Sequence, residues 1–146
     1  MTPSPFRSSG EHPQILVATD GDAASWATLD AAAALAVATG ASVHVLRVLA
    51  ALMYATPEMT AIARRDRNTH PEASRHMEAA LQRLRDRGVQ TVESSIEFGI
   101  AVDVIVAFAN DGRFSRLVVG GADHEWLATQ VGARSKIPIT VVPPGA

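Results

Sequence analysis

Apolar residues arrive along this chain in runs whose internal pattern changes from one run to the next. In Ile15-Leu16-Val17-Ala18-Thr19 they are consecutive, the pattern of a strand covered on both faces, as in the middle of a parallel sheet. Asp20-Gly21-Asp22 then makes a small polar turn. Gly21 permits the sharp bend, and Asp22 is placed to cap a helix. That helix is predicted from about Ala23 to Thr39, with Trp26, Leu29, Ala33 and Val37 as its inward residues and Gly40 as its stop. Val43 to Leu49 reads as a second buried strand. The stretch from Ala50 to Asn68 has no clear period and reads as a loop with one short helix.

From Pro71 to Arg87 the helical period returns. Ala73, Met77, Ala80, Leu81 and Leu84 form its stripe, Pro71 suits the first turn, and Gly88 ends it. Val92, Ser94, Ile96 and Phe98 then alternate with Thr91, Glu93, Ser95 and Glu97, which predicts an edge strand with one wet face. A helix over Ala101–Asn110 should bury Val102, Ile105, Val106 and Ala109. The strand Arg116–Gly120, a turn at Gly121–Asp123, a short helix from about His124 to Arg134 and the strand Ile137–Val142 complete the chain. Five strands alternating with four main helices predict an α/β fold with a doubly wound, five-stranded parallel sheet and helices on both faces. Residues 14–146 are expected to form one domain behind a disordered Pro- and Ser-rich leader, residues 1–13.

Composition narrows the classes of function. With 146 residues and 47% apolar residues, the chain can build a real core. Its net charge of −2, of mixed signs, gives no reason to expect nucleic acid as a partner. There is no cysteine, which excludes disulfides, thiolate catalysis and Cys-ligated metal and fits a cytoplasmic protein. No apolar run approaches the roughly 20 residues of a membrane span. In open α/β sheets ligands bind beyond the carboxyl ends of the strands, so Asp20, at the end of the first strand, is the first candidate. Two roles fit it: satisfying turn amides, or touching a ligand.

The segments Ile15–Gly21, Gly40–Val48, Leu117–Gly121 and Ile137–Val142, in this order and spacing, resemble the universal stress protein family over nearly all the chain after Pro13. The resemblance implies a Rossmann-like sheet with strand order 3-2-1-4-5 and a ligand crevice between the first and fourth strands. In nucleotide-binding members ATP lies in that crevice. Carried over by position, Ala18, Thr19 and Asp20 would meet the adenosine, Val48 would lie beside the base, and Gly120 with Gly121 would open the phosphate loop. That loop in the family reads Gly, two residues, Gly, about nine more, then Gly-Ser or Gly-Thr, so that backbone N–H groups close around the phosphates.

This sequence departs from the pattern. Asp123 stands at the second glycine, the stretch from Gly120 to Pro138 is about eight residues short, and Glu125-Trp126 aligns with the Gly-Ser pair. Two carboxylates near a phosphate oppose it strongly; like charges about 4 Å apart repel by about 4 kcal/mol at an effective dielectric near 20. The expectation is a degenerate nucleotide site that does not take ATP in the family's pose, with no cofactor. The alternative is a sensor that binds ATP or another adenine nucleotide between Asp20 and Gly120.

Other constellations read as structural. Asp123-His124-Glu125 serves as a helix cap with a dipole-complementing carboxylate. His44 is expected as a hydrogen-bonded interior or interface histidine. Glu72 and His76 share a helical face but make two ligands without a third. Arg64, Arg65 and Arg67 suit a solvated loop. Ser25 and Ser115 have no base beside them in sequence and no nucleophile-elbow pattern, so no catalytic set and no enzyme is expected. The last strand is more telling. Ile137, Ile139, Val141 and Val142, with Thr140 among them, form a charge-free apolar edge that invites pairing. In the family, dimers commonly form through this strand. A homodimer through it is therefore expected, acting in stress response or regulation on a protein partner of unknown identity.

Overall fold

A computed structural model describes residues 13–19, 25–50, 71–120 and 125–143. The leader before Pro13, the 51–68 stretch, Asp20 to Asp22 and Gly121 to His124 lie outside the described residues. The elements are β1 (Gln14–Thr19), α1 (Ser25–Thr39), β2 (Ser42–Ala50), α2 (Pro71–Asp86), β3 (Val92–Gly99), α3 (Ala101–Ala109), β4 (Arg116–Gly120), α4 (Glu125–Arg134) and β5 (Ile139–Val142).

The five strands form one parallel sheet, as the alternation of strands and helices predicts, in the order β3-β2-β1-β4-β5 that the family resemblance implies. Alternation along β1 divides its side chains between two cores. Ile15 and Val17 join Leu29, Ala33, Met77 and Leu84 beneath α1 and α2, while Leu16 joins Ile105, Phe114, Leu117 and Val131 beneath α3 and α4. The uninterrupted apolar run is thus the signature of a strand with a core on each side. Burying a leucine such as Leu16 or Leu117 contributes about 1.5–3 kcal/mol.

Two of the helices, α1 and α2, end at the glycines the sequence singles out. At Gly40, with φ +72°, the Ala41 N–H reaches back to the Ala36 carbonyl at 2.9 Å. At Gly88, with φ +99°, the N–H groups of Gly88 and Val89 donate to Arg85 and Leu84. These are the reverse bonds that close a helix when its next residue turns left-handed.

Three expectations need correction. Val37 does not face inward; it is 55% exposed, and the buried face of α1 is Ser25, Thr28, Leu29, Ala32, Ala33 and Ala36. An Ala-rich helix with scattered polar residues has no continuous polar face to fix its phase, and the small residues are those that approach the sheet. The last strand begins at Ile139 rather than Ile137. The Pro138 carbonyl still accepts from Leu117 N–H at 3.0 Å, but proline has no N–H with which to continue the ladder. β3 lies at the sheet edge as expected, yet its polar face is not fully wet, since Ser95 and Glu97 are half-buried.

His44 explains part of that cover. It is an interior histidine, 6% exposed, set between the rings of Phe108 and Phe114, with Nε2 2.8 Å from Ser95 Oγ. Its Nδ1 stands 3.5 Å from the exposed Glu93 carboxylate, at the outer limit of contact and without a hydrogen bond. Burial pushes the imidazole below the ordinary histidine range, and the nearby Arg113 adds to this. Glu93 and the more distant Asp111 pull the other way without reversing it. The unfolded chain therefore binds the proton more readily than the folded one. Stability should be complete above about pH 6.5 and fall on acidification below it, by at most about 1.4 kcal/mol per pH unit from this group. Denaturant titrations at pH 7, 6 and 5 should show a shallower decline for His44→Gln than for the natural sequence; equal slopes would exclude His44 as the source.

Candidate functional site

The strand order reverses direction at β1, which pairs with β2 on one side and β4 on the other. Its register with β2 runs the whole strand, from Gln14↔Ser42 to Thr19↔Arg47. With β4 it covers only Ile15↔Arg116, Leu16↔Leu117 and Val17↔Val118. Beyond Val17 and Val118 the two strands no longer pair with each other, although β1 continues to Thr19 and β4 to Gly120. The opening lies at the carboxyl end of the sheet, at its topological switch point, where open α/β sheets take ligands.

The sequence-predicted residues divide between its two faces. Ala18 and Val48 are half-buried against the α3/α4 core, so the structure brings these two onto one face. Thr19 is buried and, by alternation, belongs to the α1/α2 face. Asp20 and Gly121 fall outside the described residues, as do Asp123 and the side chains of Glu125 and Trp126. Gly120 ends β4 and pairs with Val142. A Cβ built on it would stand 2.7 Å from Oγ1 of Thr28, a side chain only 2% exposed on α1. Close packing of α1 over β4 thus disfavours a side chain at this position unless Thr28 shifts.

One pairing was not legible in the sequence. Ser25, at the start of α1, lies with its Oγ 3.5 Å from His76 Nε2 on α2, and the His76 ring tilts against Trp26 at 5.0 Å between centroids. These residues are 51 positions apart, and nothing local in the chain signals the contact. A hydroxyl beside an imidazole is the beginning of a nucleophile–base pair, but 3.5 Å is the long limit of a hydrogen bond. His76 turns toward Ser25 and Trp26 while Glu72 is exposed. Among the described residues no three His, Asp or Glu side chains gather as metal ligands. Ser115 is structural: its Oγ donates to the Gln14 carbonyl at 3.1 Å.

β5 is the second edge of the sheet. Ile137, Ile139 and Thr140 are half-buried, Val142 is buried, and Val141 is 47% exposed. Arg116 Nη1 donates to Thr140 Oγ1 at 3.1 Å and holds that side chain from the β4 side. None of the described helices is long and apolar enough to cross a membrane.

A model of the universal stress protein family matches residues 12–143. No curated protein matches the chain. Among solved structures, a universal stress protein in complex with cAMP is similar with a TM-score of 0.71 and 20% identity, over 90% of this chain and 97% of that one. Universal stress protein UspA from Lactobacillus plantarum gives a TM-score of 0.72 at 20% identity, over 90% and 97% of the two chains. The universal stress protein from Archaeoglobus fulgidus in complex with dAMP gives 0.69 at 20% identity, with the same coverage. Identities this low establish a shared fold.

The Gly120–Thr28 contact can be tested by a double-mutant cycle. Gly120→Ala should lower stability by about 1–3 kcal/mol through overpacking. In the background of Thr28→Ala, which removes the opposing hydroxyl and methyl, the same change should cost less by about 1 kcal/mol or more. Additive losses in urea unfolding would mean that Thr28 does not set the choice of glycine.

Proposed function

The chain belongs to the universal stress protein family, and from that membership we propose that it is a non-enzymatic stress-response module, dimeric, whose crevice does not grip ATP in the family's pose. The observation that carries this reading is the place of Gly120. Its missing side chain is accounted for by Thr28 Oγ1 at 2.7 Å from the Cβ position, so glycine here is favoured by packing and does not by itself signal a phosphate loop. The sequence beyond it supports the same reading. Asp123 and Glu125 take the positions of the loop's second glycine and its Gly-Ser pair, and carboxylates there would repel phosphates.

A second reading, an adenine-nucleotide sensor, is favoured by the parting of β1 from β4 after Val17 and by the apolar pair Ala18 and Val48 beside it. Proteins of similar fold hold cAMP and dAMP, ligands with a single phosphate. A crevice that has lost its polyphosphate loop retains the surface for a base, and a nucleoside or nucleoside monophosphate then suits it better than ATP does.

Calorimetry with adenosine, AMP, ADP and ATP separates these readings. A silent response to all four supports the module with a degenerate site. Binding of adenosine and AMP, weakening with each added phosphate, supports the sensor. ATP bound roughly tenfold more tightly than AMP, a difference of about 1.4 kcal/mol, would sink the proposed loss of the phosphate grip.

The dimer rests on β5, which ends the sheet among the described strands and whose Val141 side chain is exposed. Two copies related by a twofold axis can pair these edges antiparallel and continue the sheet. Val141→Lys should shift sedimentation toward monomer with little change in the far-ultraviolet circular dichroism spectrum. An undiminished dimer would remove β5 from the interface.

A further inference from the structure

The α1/α2 face at the carboxyl end of the sheet carries a charge that has no part in the nucleotide crevice or the dimer edge. Along β2, Val45 enters the α1/α2 core while Leu46 and Val48 face the α3/α4 side, so alternation places Arg47 on the α1/α2 face. Register sets it between Thr19 of β1 and Ile96 of β3. Thr19, buried on the same face, brings a hydroxyl next to it. The first turns of α2 come after the crossover from β2, and there His76 meets Ser25 at the start of α1. Imidazole and hydroxyl groups thus lie at the same end of the sheet as the guanidinium.

Arg47 stands apart from the other half-buried arginines among the described residues. Arg83 binds both oxygens of Asp30, at 2.7 and 2.9 Å, and Arg116 bonds Thr140. The Arg47 side chain is half-buried on an interior strand, yet makes no hydrogen bond or ion pair with any described residue. A partly desolvated guanidinium that no described side chain answers calls for an anion, and its planar fork matches an oxyanion with two parallel N–H bonds. Asp30, a paired carboxylate on α1, is already held by Arg83 and Arg87 and does not answer it.

We propose that Arg47 anchors an anion subsite on the α1/α2 side of the sheet's carboxyl end, taking the phosphate group of a small ligand. The subsite is distinct from the Ala18–Val48 surface on the opposite face and does not rest on nucleotide binding in the crevice. The phosphate comes either from free inorganic phosphate or from a nucleotide whose base lies elsewhere on the sheet edge.

The test tracks the Nε–Hε resonance of Arg47 in the full chain by nuclear magnetic resonance during titration with inorganic phosphate, AMP and adenosine. A saturable shift with phosphate or AMP is expected. Arg47→Gln should weaken phosphate binding roughly tenfold or more, and Arg47→Lys, which keeps the charge but loses the fork, should fall between. Backbone spectra and thermal midpoints of the variants confirm that they are folded. If AMP binds more tightly than phosphate and Arg47→Gln removes its advantage over adenosine, a nucleotide supplies the anion. If phosphate alone binds as well as AMP, the free ion does. No saturable shift at tens of millimolar phosphate, or equal phosphate affinity in Arg47→Gln, overturns the subsite; the side chain would then only lay its stem over apolar neighbours and reach for water. Adenosine affinity unaltered by Arg47→Gln reports on the crevice separately, so the two readings fail independently.

Discussion

The structure depends on β1 being closed to water on both faces while remaining hydrogen-bonded on both edges. Ile15, Leu16 and Val17 are all but inaccessible, and their side chains alternate between two separate cores. A strand so placed can satisfy its backbone only through neighbours in the same sheet, because buried N–H and C=O groups without partners are strongly disfavoured. β2 meets that need along the full length of β1, but β4 does so for three residues only. The opening at the switch point is the consequence of this difference. Helices packed on both faces fix the strands where they are buried, and the pairing of β1 with β4 stops two residues short of the strand ends.

Much of the fold was legible because the physical signals were local. A run of three or four apolar residues without alternation, bounded by polar or turn residues, marks a doubly covered strand, and β1 and β4 are such strands. Gly40 and Gly88 marked helix ends because the reverse bonds there need a left-handed residue. The inward stripe of α3, Val102, Ile105, Val106 and Ala109, was legible since that nine-residue helix has a distinct polar side at Asp103. The phase of α1 was not. Its few polar residues are scattered round the helix and most of the rest are alanines, so Val37 looked as good an inward residue as Ala36, and only contact with the sheet decides between them.

The candidate site was legible mainly by resemblance, and the structure changes what the resemblance means at one residue. Ala18 and Val48 do come to one face, which spacing alone could not have established. Gly120 carries two explanations, and only one of them is visible in a linear motif. A glycine that opens a phosphate loop and a glycine that makes room for Thr28 look identical in sequence. The contact between Ser25 and His76 left no trace in the chain either, because it joins the first turns of two helices separated by a whole strand.

The period of two along a strand has a further consequence for what can bind at this sheet edge. Ala18 and Thr19 are consecutive, as are Arg47 and Val48, yet each pair points to opposite sides of the sheet. The α3/α4 side therefore offers apolar surface, and the α1/α2 side offers a buried hydroxyl and a half-buried guanidinium. An apolar ring suits the first, and an oxyanion suits the second. A single small molecule reaches both only by crossing over the strand ends, at Thr19 and Gly120. The strand ends therefore set the geometry of any ligand that uses both faces, whichever chemistry the crevice retains.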